Sequence, residues 1–141
     1  MSQDLTLSRR AVAAGWKWQA GALLVRRNSL TQLRVACING DYADLIAPSG
    51  HWAAAPIDND LPDFNDAATR GVLLQQVRER WGNPYAYTVP VLDRNGLRFW
   101  AVWLPQPGGW GEDGQGSFTG PSETAALVAA LEAAPKEKNN G

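Results

Sequence analysis

Residues 66–84, DAATRGVLLQQVRERWGNP, constrain this chain more than any other stretch, because they predict a helix with both ends signalled. Leu73, Val77 and Trp81 recur every four residues with Leu74 beside them, which sets one apolar stripe opposite Arg70, Gln75, Arg78 and Glu79. Asp66 stands where an N-cap accepts from backbone N–H groups two or three residues on, while Gly82 and Pro84 supply the stop. Val77 and Trp81 are therefore expected to be largely buried, and the stripe to need a sheet.

The flanking segments fit around this helix. Residues 5–14 predict a short first helix closed by Gly15 in the left-handed region, with Trp16 making the hydrophobic contact of a Schellman-type turn. Residues 30–47 predict a hairpin about Asn39-Gly40, a pair suited to a two-residue type I′ turn. Opposing Ile38 to Asp41 gives a core face of Leu33, Val35, Cys37, Tyr42 and Ile46, and that register also places Asp44 on the core face, a conflict within the expectation. Residues 47–65, rich in Pro, Gly and Asp, are expected to form a loop.

A second hairpin is expected from residues 85–92 and 97–104, joined by Asp93-Arg94-Asn95-Gly96 as a type I turn with a left-handed glycine. With Asp93 opposite Leu97, Tyr87, Val89, Val91, Phe99, Ala101 and Trp103 share a face that should be buried. Thr88, Pro90, Leu92, Arg98, Trp100, Val102 and Leu104 share the other, which is too apolar for free solvent. A cover is needed, and the alanine-rich segment SETAALVAALEAA at 122–134 predicts a last helix able to provide it. Between them, residues 105–121 hold six glycines and the isolated Trp110 and are expected to be a functional or unstructured loop, and 136–141 a polar tail. The order α-β-β-α-β-β-α describes an α+β fold with a mainly antiparallel sheet from two hairpins, as a single domain over residues 1–135.

Several chemistries are disfavoured. One cysteine, Cys37, and one histidine, His51, complete neither a disulfide nor a Cys/His zinc site. Asp58, Asn59, Asp60 and Asp63 depart from a calcium loop, with Pro62 at the fifth position and Thr69 at the twelfth. The glycines of DGQGSFTG lack the spacing, preceding strand and Lys-Ser/Thr of a phosphate loop. No nucleophile motif accompanies His51, so no catalytic residue, metal or cofactor is assigned and the chain is expected not to be an enzyme. A carboxylate pair for glycoside chemistry stays open, since separation in space is not visible in a sequence. No apolar run reaches the length of a membrane span or signal peptide, which points to a cytoplasmic location.

Charge is sorted along the chain although the formal net charge is −1: residues 1–40 are strongly basic, and 41–66 carry six aspartates and no base. Such blocks either build a positive face or neutralise each other on folding, and the second outcome is the expected one. Two function classes follow. Seven tryptophans in 141 residues favour a protein-binding module, with Trp100, Arg98, Pro90 and Trp110 as partner-binding residues. The alternative is a nucleic-acid binder using Trp16, Trp18, Arg26, Arg27 and Arg34, against which the near-neutral total charge counts.

The helix segment resembles the D-x-x-T-x-G-x-L-L-x-x-V-R-x-x-W-G-x-P stretch of small uncharacterised proteins carried by tailed bacteriophages and prophages. AGWKWQAG near the start and SETAALVAALEAAP near the end are similar to the ends of the same proteins, and the three islands cover about a third of the chain. Ala67 departs from the proline these proteins tend to carry at the first helical position. The resemblance implies a phage origin and expression in a bacterial cytoplasm, and it carries no activity or site residues; the partner expected for a protein-binding module is a host or phage protein.

Overall fold

The computed structural model describes residues 5–26, 32–40, 42–57, 60–105 and 116–135. Among the described residues three helices, α1 (Thr6–Ala13), α2 (Ala67–Trp81) and α3 (Glu123–Ala133), combine with eight strands. The strands are β1 (Leu23–Val25), β2 (Gln32–Asn39), β3 (Tyr42–Ile46), β4 (Trp52–Pro56), β5 (Leu61–Pro62), β6 (Tyr87–Leu92), β7 (Arg98–Leu104) and β8 (Gly116–Gly120). They form two antiparallel sheets, ordered β4-β3-β2-β1-β5 and β6-β7-β8. The α+β class, both hairpins and the central and terminal helices are as expected. The extra strands β1, β4, β5 and β8 place the two hairpins in separate sheets.

Backbone contacts divide the chain into two compact units, Met1–Val72 and Leu73–Gly141, and the division falls inside α2. The span expected as one domain holds both units, each with its own sheet.

Both glycine stops act as the sequence predicts. Gly15 and Gly82 have φ of +101° and +61°. Paired bonds, Trp16 N–H to Ala11 O and Gly15 N–H to Val12 O for α1, Asn83 N–H to Arg78 O and Gly82 N–H to Glu79 O for α2, close each helix in a Schellman motif. At the start of α2, Asp66 accepts from the Thr69 backbone N–H at 3.0 Å and from its hydroxyl at 2.7 Å. Leu73 and Val77 are fully buried, whereas Trp81 is half-buried, less than expected.

In the first unit the core gathers Leu24, Val35, Ala43, Leu45 and Ile57, with Trp18, Leu33, Ile38 and Ala55 packed against it. The register of the first hairpin corrects the expectation. Asn39 pairs with Tyr42, and Ala36 is a bulge between Val35↔Leu45 and Cys37↔Asp44. The extra residue reverses the alternation along β2, so Val35 and then Ile38 face inward while Cys37 turns out to solvent. Shifting the pairing also exchanges the faces of β3: Ala43 and Leu45 are buried, Tyr42 is exposed, and Asp44 leaves the core. The conflict over Asp44 disappears with the register that produced it. Residues 52–56 and 61–62, expected as loop, are the strands β4 and β5 on the two edges of this sheet.

In the second unit the expected register holds throughout, with Pro90 opposite Trp100 and Leu92 opposite Arg98. α3 packs on β6, β7 and β8. It lies on the Thr88 side, because the Thr88 hydroxyl meets the Glu123 carboxylate at 3.1 Å, and on that side Val102 and Leu104 are fully buried. The approach is close: a Cβ built on Gly120 would lie 2.7 Å from both the Ala125 Cβ and the Ala126 N. Trp81 completes the layer, its indole N–H donating to Ala130 O at 2.9 Å and its ring 5.7 Å from that of Phe118. The last helix therefore covers the mixed face, as the sequence suggests. The uniformly apolar face, expected to be buried, buries only Ala101; Val89, Val91, Phe99 and Trp103 are half-buried and Tyr87 is exposed.

Three of the four outer strands carry a proline: Pro56 in β4, Pro62 in β5 and Pro90 in β6. Each occupies an outward position. The bonds Ala47 N–H to His51 O, Asp63 N–H to Leu23 O and Asp93 N–H to Leu97 O fix which residues of each pair bond inward, and strict alternation then points the nitrogens of residues 56, 62 and 90 away from the sheet. Proline there costs no ladder bond and removes a donor from an open edge. β5 is further covered by α1, whose Ser8 hydroxyl donates to Pro62 O at 2.6 Å.

Candidate functional site

Along the α3 side of the second hairpin, exposure rises steadily toward the turn. Leu104 and Val102 are fully buried, Trp100 is half-buried, and Pro90, Leu92 and Arg98 are exposed. The gradient has a local cause. α3 begins at Glu123, beside Thr88, and presses on Gly120, the partner of Trp100. The last two residue pairs of the hairpin, 91↔99 and 92↔98, and the turn lie beyond the Trp100–Gly120 pair.

Hydrogen bonds close the turn at that free end. Asp93 Oδ1 accepts from the backbone N–H groups of Asn95 and Leu97, both at 2.8 Å. The Gly96 N–H donates to Asp93 O at 3.1 Å, and Gly96 takes φ +80°, which closes the type I turn with a left-handed residue. Leu92 and Leu97, bracketing the turn, are 64% and 65% exposed, with Arg94 and Arg98 exposed beside them. Isolated exposed leucines are ordinary on a surface; here Leu92 lies with Arg98 on the Trp100 face, and Leu97, opposite Asp93, on the Phe99 face. The side chains of the hairpin end offer apolar contact and guanidinium forks, and its single carboxylate accepts from two backbone N–H groups within the turn.

Pro90, Arg98 and Trp100, expected to contact a partner, thus share one face, and Trp110 lies outside the described residues. Leu92, Arg94 and Leu97 were not singled out by sequence reasoning, although the register set by Gly96 already placed Leu92 beside Arg98.

The residues proposed for nucleic acid are arranged otherwise. Trp16 is only 8% exposed and packs edge-on against Phe64 and Trp18, with interplanar angles of 83° and 89°. Enclosed between perpendicular rings, Trp16 presents no open face for a base to stack on. Arg34 holds Asp66 in a two-pronged pair, at 2.6 and 3.0 Å, and also donates to Gly21 O at 3.0 Å. Arg26 lies 4.0 Å from Asp60, and Arg27 is outside the described residues. The basic and acidic blocks of the sequence thus meet in these pairs.

Arg34 and Asp66 shape each other's titration. The hydrogen bonds from Arg34, aided by those from Thr69, hold the Asp66 carboxyl down at about 2, and the same pair raises Arg34. Around them Thr69 Oγ1 accepts from the Leu23 N–H at 2.8 Å, and Gln32 donates to Asp63. The cluster ties β1, β2 and the start of α2 together and is structural.

Among the described residues, no group of three His, Cys, Asp or Glu side chains is placed to hold a metal ion, and no helix is long and apolar enough to cross a membrane. Comparison with known proteins finds no matching family model, no matching curated protein and no matching solved structure.

Proposed function

We propose that this chain is a small, non-enzymatic, phage-encoded protein-binding module that engages a host or phage protein in the bacterial cytoplasm through the free end of its second hairpin. The phage setting rests on the resemblance of the three sequence islands. The binding surface rests on one observation above all: beyond the Pro90–Trp100 pair the hairpin end exposes Leu92 and Arg98 in its strands, and Arg94 and Leu97 about a turn held by Asp93 and Gly96. Such a surface loses little conformational freedom on binding, and arginine and tryptophan are frequent interface anchors. The nucleic-acid alternative has less support, since Trp16 is enclosed and Arg34 is engaged with Asp66.

The test is comparative capture. Tagged wild-type protein and the variant Leu92→Ser/Arg98→Ala, both verified as folded by circular dichroism, are used as bait in host lysate with and without phage infection. A protein retained by the wild type and lost with the variant is the expected result. Identical retained sets would refute use of this surface, and salt-sensitive binding to DNA by both baits would favour the alternative.

A further inference from the structure

We infer that the partner of the hairpin end is an acidic polypeptide segment bearing apolar side chains, seated on Pro90, Leu92 and Trp100 with its carboxylates on Arg94 and Arg98. This rests on the proposal that the hairpin end is a binding surface and adds the chemistry of what it binds. Charge complementarity carries the inference. Arg94 and Arg98 are both exposed, and neither makes an ion pair with any described residue. The one carboxylate within the turn, Asp93, is turned inward onto two backbone N–H groups. Arg34 is matched with Asp66 and Arg26 with Asp60, whereas the exposed Arg94 and Arg98 leave the hairpin end as cationic surface beside exposed leucine. A guanidinium fork takes a carboxylate in two parallel hydrogen bonds, and exposed Leu92 beside Pro90 calls for an apolar counterpart in the same ligand.

The mode of docking follows from Pro90. Its nitrogen points outward from β6 and carries no hydrogen, so a partner strand cannot extend the sheet past this point. The segment lies across the face instead, over Pro90, Leu92, Arg98 and Trp100. Two arginines on one turn are a small charge for a phosphate chain, whose binding rests on many cations, and are enough to orient a short acidic segment.

The experiment uses the full chain, labelled with 15N, and four probes: a capped peptide of glutamates and leucines spaced by serine, the same peptide with lysine for glutamate, phosphatidylglycerol-containing vesicles, and oligothymidylate. The expected result is saturable shifts of the amides of residues 91–100 (Pro90 has none) with the acidic peptide alone. That binding should weaken roughly tenfold or more in Arg94→Glu/Arg98→Glu and less in Arg94→Gln/Arg98→Gln, and should decline with salt. Equal binding of the lysine peptide, unchanged binding by the charge-reversed variant, or absence of shifts with the acidic peptide would overturn the inferred chemistry. So would preferential binding of vesicles or oligothymidylate at these amides. In each of these cases, loss of a captured protein with Leu92→Ser/Arg98→Ala would still stand for the hairpin end as a binding surface, which separates failure of the inference from failure of the proposed function.

Discussion

Replacing Asp66 isolates one of the interactions that fasten the start of α2 to the first sheet. Asp66→Asn keeps an oxygen able to accept from the Thr69 N–H, so the cap survives in form, and removes the charge that Arg34 grips. A carboxyl held at about 2 instead of 3.8 corresponds to about 2.5 kcal/mol of stability at neutral pH if taken at full value. The Arg34 side chain is 40% exposed and Asp66 18%, so solvent screening reduces this to roughly 1–2 kcal/mol. Asp66→Ala also deletes the cap, which adds about 1 kcal/mol. Urea denaturation followed by far-ultraviolet circular dichroism measures both.

The pH dependence has a definite sign. Because the folded carboxyl is more acidic than the unfolded one, the unfolded chain takes up the proton first as pH falls. The stabilisation is complete above the unfolded value of 3.8 and disappears as pH drops through about 2. The stability difference between wild type and Asp66→Asn should therefore be constant from neutral pH down to about 5 and shrink toward zero near pH 2. A difference of the same size at both ends, or a loss below about 0.5 kcal/mol at neutral pH, would refute the assignment of this stabilisation to the charged pair.

Three further outcomes follow from the second unit. Trp81→Phe should cost about 1–2 kcal/mol by leaving the Ala130 carbonyl without its indole donor, and Trp81→Ala about 3 kcal/mol or more through loss of contact with Phe118, both read by denaturant melts. Gly120→Ala should destabilise by about 1–3 kcal/mol, since the new methyl meets the Ala126 backbone as well as Ala125 and α3 must move; an unchanged melting temperature would show that the helix has slack. Pro90→Thr restores an outward N–H to the β6 edge and should produce concentration-dependent self-association in analytical ultracentrifugation while the hairpin stays folded.

How far the fold could be read from the sequence depended on whether a local signal outlasted its own neighbourhood. The second hairpin was legible because Asp93 and Gly96 fix the turn chemically and no irregularity intervenes between that turn and Trp103. The first hairpin carried an equally plain Asn-Gly signal, yet a single bulge at Ala36 changes which residues face inward, and no residue type announces a bulge there. β4, β5 and β8 were missed because their sequences, WAAAP, LP and GSFTG, have little strand propensity of their own. They are strands because neighbouring strands offer them hydrogen bonds, which is information held by the rest of the fold.

The candidate site was legible by the same rule. Pro90, Arg98 and Trp100 were placed on one face by a register that two turn residues determine, and nothing in that deduction required long-range contacts. What the sequence did not contain was where along the hairpin the start of α3 would sit. Ser122 caps the helix by accepting from the Ala125 N–H, and Glu123 then meets Thr88; the boundary between covered and uncovered hairpin is drawn by that meeting, at Trp100. Residues on the covered side pack against α3 and those on the turn side are exposed, with Trp100 between them. Trp100→Ala should consequently show both effects, a measurable loss of stability and a weakened partner, whereas Leu92→Ser should show only the second. A Leu92→Ser variant that lost as much stability as Trp100→Ala would mean that the cover reaches the turn after all.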